Sequence, residues 1–263
     1  MRIGNVMKLP LYATLLIAIA VFCGSILAQT KKPIVQAKSR PAGTKAAEIG
    51  KSAVVVDETL SVLREEPSLY GLPIHRMQRG RTVQIIGIAE ADGVKFFKVA
   101  APPTSFGWVQ ADAVFGKFRP GDDERLARLV QALDGFDQIE AANEYFMLFP
   151  ESKFRPATLL LFGDLLEEIA SKLSKDAAGK LKRGEMAASS APVHSYFLNY
   201  VSLDRYRKLG IVFLFNNSTK QFHYNGGSWA EVIKKFPGTP EAAEAQKRID
   251  SLKVKLERTL ASR

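Results

Sequence analysis

Phe106-Gly107-Trp108-Val109, then Pro120-Gly121, then Asp122-Asp123-Glu124-Arg125-Leu126-Ala127-Arg128-Leu129-Val130-Gln131-Ala132-Leu133 mark the point where this chain changes its period. Before the proline–glycine pair, apolar residues come in short runs of the kind that make strands. After it, Leu126, Leu129, Val130 and Leu133 recur at i, i+3, i+4 and i+7, the spacing of one helical face. Proline followed by glycine is strong local punctuation. The chain therefore divides into a β-rich unit, residues 53–119, and a helical unit, residues 120–263. Asp122 or Asp123 is the expected N-cap of the first helix and Gly135 its end.

Working toward the N-terminus, strands are expected at 53–56, 82–88, 94–99 and 106–109. Pro67-Ser68, Arg79-Gly80, Asp92-Gly93 and Pro102-Pro103 separate them as turns, and Asp92-Gly93 predicts a hairpin because both residues tolerate positive φ. Short strands this closely spaced suggest a small β-barrel. Phe97 is expected to fill its interior, and His75 is expected on a surface strand.

Working toward the C-terminus, a second helix is expected through Ile139, Ala142, Tyr145, Phe146 and Phe149, stopping at Pro150. A third starts near Pro156 and carries Leu159, Leu160, Phe162, Leu165, Leu166 and Ile169. Residues 175–192 are rich in Lys, Ala, Gly and Ser and are expected to form a loop, with helices resuming over 194–208 and near 210–215. Trp229, Val232, Ile233 and Phe236 share one helical face; Pro237-Gly238-Thr239-Pro240 turns the chain, and a long helix follows from Glu241.

The ends carry a different message. Arg2 and Lys8 precede an apolar run from Leu11 to Phe22, and Ser25-Ile26-Leu27-Ala28 offers a small residue before Gln29, which reads as a signal peptide over residues 1–28. The alternative is an N-terminal membrane anchor, since Leu9–Ala28 has about the length needed to cross a hydrocarbon core of roughly 30 Å. Phe22 before Cys23 argues against lipid attachment, so Cys23, the single cysteine, is expected to be apolar filler. One cysteine excludes a disulfide framework and a four-cysteine zinc site, and the three histidines, His75, His194 and His223, are far apart. The formal charge of +10 invites a nucleic-acid reading. Much of it, however, sits in residues 29–52, where Lys31, Lys32, Lys38, Arg40, Lys45 and Lys51 face only Glu48. That stretch has too little apolar content to offset its ordering entropy, and it is expected to be a basic flexible linker with at most loose contact to a membrane surface. Nucleic acid is not an expected partner.

Two resemblances refine this reading. Val62-Leu63-Arg64-Glu65-Glu66-Pro67-Ser68, Met77-Gln78-Arg79-Gly80 followed by Val83 and Ile85, Phe97-Lys98-Val99, and Gly107-Trp108-Val109 with Ala113-Val114 resemble the successive segments of bacterial SH3-like (SH3b) domains. The chain departs from that pattern at Glu66, where many members have glycine, and by an insert over 100–105. Tyr145-Phe146-Met147-Leu148-Phe149-Pro150-Glu151-Ser152 and Val232-Ile233-Lys234-Lys235-Phe236-Pro237-Gly238-Thr239 share a helix ending in Phe-Pro-x-Ser/Thr. This is similar to tetratricopeptide-like repeats of the periplasmic type, found in the barrel-assembly lipoprotein and the Tol–Pal coordinator. Together the resemblances imply a multidomain chain: a small SH3-like β-barrel plus an all-α array of tetratricopeptide-like helical hairpins.

By resemblance, the barrel would bind a cell-wall peptide or a partner's extended segment through aromatic rings in a shallow groove. Tyr70, Phe96, Phe106 and Trp108 are the candidates, with Tyr70 preferred because it follows the Pro-Ser turn. In the helical unit Phe222, Tyr224 and Trp229, with Arg205 and Tyr206, could form a partner-facing edge, or fill a core between irregular helices. Neither unit shows paired carboxylates or a nucleophile beside a base, so catalysis, a metal and a cofactor are not expected. The expectation is a non-catalytic, exported, periplasmic or envelope-associated scaffold whose partners are an envelope protein or peptide, with peptidoglycan as a further candidate ligand. The alternative is an envelope enzyme or hydrolase regulator with a site in the irregular 194–229 segment.

Overall fold

Asp92 and Gly93 both adopt positive φ, 54° and 72°, and turn one long strand back on the next. These strands, β4 (Thr82–Ala91) and β5 (Val94–Ala101), pair from Gln84↔Ala100 to Ala91↔Val94 with a bulge between Ile85 and Gly87. The computed structural model describes residues 47–257; the expected signal peptide, Cys23 and most of the basic linker lie outside them. Around the hairpin stand β1 (Ser52–Val55), β2 (Val62–Arg64), β3 (Pro73–Arg76), β6 (Ser105–Gln110) and β7 (Val114–Phe115), in the order β3-β2-β6-β5-β4-β1-β7. All pairings are antiparallel.

Strand alternation sends Val83 and Ile85, Phe97 and Val99, and Val109 to one face, as the period of two requires. They share a core with Leu63 near one end of the strand order and with Ala53, Val55 and Val114 near the other. Residues from both ends of the order meet in one core, so the sheet curls around it. The insert at 100–105 extends the β5–β6 hairpin, pairing Ala101 with Ser105.

The first helix, α1 (Asp122–Ala132), is capped by Gly121 at φ 80°, not by an aspartate. Asp122 instead lies 1% exposed, where its carboxylate accepts from the Gly116 amide at 3.0 Å and from Arg119 Nε at 2.6 Å. Arg119 also donates to the carbonyls of Ala111 and Val114, and the Phe118 ring meets Phe97 edge-on at 6.3 Å. The corner between sheet and helices is therefore knotted by hydrogen bonds. Gly135 opens α2 (Gly135–Leu148) where it was expected to end α1.

Val56 and Phe115 from the sheet side share a core with Leu126 and Val130 of α1 and Ala141, Ala142 and Tyr145 of α2. Arg79, its side chain 6% exposed, reaches across to Glu140 at 3.0 Å and Asp137 at 3.6 Å. Sheet and helices thus belong to one compact unit.

Helix α3 (Arg155–Lys180) has Pro156 in its first turn, where the missing N–H costs nothing, and continues into the stretch expected to be a loop. The short α4 (Arg183–Ala187) follows. The helix expected over 194–208 is divided into α5 (Val193–Leu198), a 3-10 turn at Val201–Leu203 and α6 (Asp204–Lys208). The helical unit is not all-α. Residues expected to be helical near 210–215 form β8 (Phe213–Asn216), paired with β9 (Gln221–Tyr224). Consecutive Phe-Leu-Phe and Phe-His-Tyr runs favour a pleated surface. Asn216 Oδ1 stops β8 by accepting the amides of Ser218 and Thr219, and Lys220 takes φ 57°. The last pair is α7 (Gly227–Lys235) and α8 (Pro240–Glu257). Phe149 and Phe236 share one backbone conformation, φ −126°, ψ 61° and φ −128°, ψ 48°, but the turns then diverge: Gly238 takes φ 82° and α8 starts at Pro240, whereas Glu151 has no positive φ and α3 starts later, at Arg155.

Candidate functional site

The loop from Glu65 to Leu72 begins where Arg64 Nη1 donates to the Gly71 carbonyl at 2.8 Å, drawing the loop closed. Its far side is tied to the β4–β5 turn: Asp92 Oδ2 accepts from Ser68 Oγ at 2.7 Å and from the Leu69 amide at 2.8 Å. The Ser68 hydroxyl, then the Leu69 amide, hold the Asp92 carboxyl below its ordinary value. This rigid tether presents Tyr70 at 89% exposure. Beyond it come Leu72 at 68% and Ile74 at 44%, and Phe106 on β6 stands at 61%. Ile74 Cδ1 lies 3.0 Å from where a Cβ on Gly107 would stand, on the core-facing side of β6 with Leu63, whereas Phe106 alternates to the other side. Gly107 leaves the gap that lets β3 close over β6.

Tyr70 is held at the Asp92 end of β5, whereas Phe106 pairs with Ala100 at the opposite end. At about 3.3 Å per strand residue, the two ends are separated by on the order of 20 Å. Trp108 sits between these ends, paired with Lys98, whose Nζ lies 5.9 Å from its ring. Trp108 is half-buried across the outer side of the hairpin, close above Gly87. Of the expected groove residues, Tyr70 and Phe106 are accessible, Trp108 is partly so, and Phe96 is corrected: it is fully buried and cannot touch a ligand. Nor do the accessible rings converge on one pocket; Tyr70 and Phe106 stand near opposite ends of β5. Leu72 and Ile74 were missed by the sequence reading, although their alternation in Leu72-Pro73-Ile74 was visible.

In the second candidate surface the partner-facing edge is corrected for the four aromatic rings, which follow the core-filling alternative. Tyr206, Phe222, Tyr224 and Trp229 are all 5% exposed or less, and they pack in one core with Phe197, Leu203 and α3. Phe215 stacks on Phe197 at 4.8 Å, Tyr206 meets Phe136 edge-on at 5.3 Å, and Tyr224 meets Trp229 at 5.5 Å. The cluster fills the space left by short helices. Arg205 remains exposed and lies 4.8 Å over both Phe136 and Tyr206, covering this core with its stem and guanidinium.

His223 is 6% exposed, and its Nδ1 lies 3.0 Å from Glu167 Oε1 on α3. Glu167 also receives the Tyr224 amide at 2.9 Å and Lys255 of α8 at 2.7 Å. Burial alone would raise the Glu167 carboxyl, but the hydrogen bonds from His223, Lys255 and Tyr224 outweigh it and hold the group below its ordinary value. The arrangement fastens the β8–β9 hairpin to α3 and α8.

No helix among the described residues is long and apolar enough to cross a membrane. No protein-family model, curated protein or solved structure matches the chain.

Proposed function

We propose that this protein is a non-catalytic binding and scaffold protein of the cell envelope. Its curled sheet would be an SH3-like barrel and its helices a modified tetratricopeptide-like array. The observation that carries this reading is Tyr70, 89% exposed on a loop that hydrogen bonds tie to the β4–β5 turn, with Leu72 exposed in the same loop. Exposed aromatic and aliphatic side chains held on a tethered loop are anchors on which an extended partner segment packs. The cross-linking peptide of the wall, or an extended stretch of an envelope protein, has that shape. The export-type N-terminus supports an extracytoplasmic setting for such a ligand. The matching conformation of Phe149 and Phe236 at the two helix ends supports the helical resemblance, and the inserted β8–β9 hairpin distinguishes this array from regular repeats.

The test is co-sedimentation of the protein with purified peptidoglycan sacculi at low and high salt. Apolar contacts survive salt, whereas binding through the basic linker weakens steeply. We expect salt-resistant binding that falls at least about tenfold in Tyr70→Ala/Leu72→Ala, the effect of losing roughly 1.4 kcal/mol from an aromatic anchor. Absence of binding, or binding unchanged by the double substitution, would overturn the wall-peptide reading.

A further inference from the structure

The docking of sheet on helices creates a groove that neither part has alone. One lobe, of about 520 Å³, is lined by Lys51 and Val54 of the β1 region, Phe118 of the corner, and Met147 and Leu148 of α2. A second, of about 430 Å³, continues past Leu148 to Phe149 and Pro150 at the α2–α3 turn. Lys117 lines both. From the groove between sheet and α2, we propose that this is a docking site for an acidic, extended segment of a partner protein carrying an apolar anchor residue.

Three features specify that occupant. Lys51 and Lys117 are exposed and form no ion pair among the described residues, whereas the neighbouring Arg119 is occupied by Asp122. Two uncompensated ammonium groups at one lobe call for carboxylates. Met147 stands 59% exposed at the end of a helix whose opposite face is buried, and its thioether is an adaptable apolar surface. A purely anionic polymer would satisfy the lysines and leave Met147 and Leu148 uncovered. Acid is confined to the other lobe, where Glu151 is exposed and Asp123 is bound by Ser152 Oγ at 2.7 Å. The lobe lined by Lys51 and Lys117 thus meets one in which Lys117 and Arg119 are balanced by Asp123 and Glu151, a charge gradient that orients a bound chain. The site shares no residue with the Tyr70 loop and does not depend on it.

The test is fluorescence anisotropy with three labelled octapeptides: alternating Glu and Leu, all Glu, and alternating Lys and Leu. Inorganic polyphosphate serves as the competing polymer. The Met147 methyl resonance reports locally on occupation. We expect the Glu–Leu peptide to bind saturably, to shift the Met147 signal, and to bind at least about tenfold tighter than the all-Glu peptide. Lys51→Glu/Lys117→Glu should weaken it by at least a similar factor, Met147→Gln should weaken it independently, and Tyr70→Ala should leave it unchanged. Equal binding of the all-Glu peptide or effective competition by polyphosphate would overturn the proposal in favour of a plain anion surface. So would absence of binding, or binding indifferent to both groove variants while circular dichroism shows the fold intact.

Discussion

Gly163 sits in α3 where α7 crosses it, and a Cβ there would stand 2.6 Å from Ser228 Oγ and nearer still to Trp229 Nε1. Both neighbours are buried and cannot retreat. Gly179, in the last turn of the same helix, would meet nothing within 4 Å. The two glycines therefore respond oppositely to one substitution. Gly163→Ala should cost about 1–3 kcal/mol by overpacking. Gly179→Ala should gain up to about 1 kcal/mol through helix propensity. Urea-unfolding midpoints of the two variants measure both signs. A destabilised Gly179→Ala would contradict the open surroundings of that position. Neither role was legible in the sequence, because Gly179 falls in a stretch that reads as a loop and only the crossing of α7 marks Gly163.

The β8–β9 hairpin shows how an element can be decided by its partners. Glu167 gathers His223, the Tyr224 amide and Lys255, contributed by two other elements. Its carboxyl is held below the ordinary value, so its contribution is present above that value and is lost as pH falls through the folded one. Glu167→Gln should therefore destabilise the protein by about 1–3 kcal/mol at neutral pH, the cost of leaving the buried His223 ring and Tyr224 amide poorly matched. The variant should also lose part of the acid-side fall in stability. Urea titrations at neutral pH and near pH 3 give both numbers, and a variant with the parent's pH dependence would refute the assignment. The sequence misread this element because Phe213-Leu214-Phe215 is short and apolar, a pattern that helix and strand share. What makes it a strand is the Asn216 turn and the α3 surface, where Ser174 Oγ accepts the Phe222 amide at 2.7 Å.

At the scale of the molecule, the junction carries the opposite pH signature. Glu140 and Glu144 of α2 face Arg79 and the β3–β4 turn, and burial raises both carboxyls despite the Arg79 charge. Their stabilising form is the protonated one, fully present below the ordinary glutamate value and lost as pH rises through the raised one. Glu144→Gln should therefore raise the melting temperature at neutral pH and give no gain below about pH 4, as the ordinary glutamate value near 4.3 implies. Calorimetry at the two pH values decides it; a gain of equal size at both would mean the substitution acts through packing alone. Acidification is thus expected to tighten the sheet-on-helix junction while loosening the hairpin attachment.

The sequence by itself determined the change of period at Pro120-Gly121, the Asp92-Gly93 hairpin and the two Phe-Pro turns. Each depends on the dihedral preferences or side-chain spacing of adjacent residues. It also contained the distinction between accessible Tyr70 and core Phe97, which follows from turn position and strand alternation. Only the tertiary structure decided that Phe96, Phe222, Tyr224 and Trp229 are buried, because burial of an aromatic ring depends on what packs over it. Only it decided that Tyr70 and Phe106 stand near opposite ends of β5, and that Lys51, Lys117 and Met147 line one groove. Those residues are distant in the chain, and no local preference encodes the docking of a sheet on a helix pair.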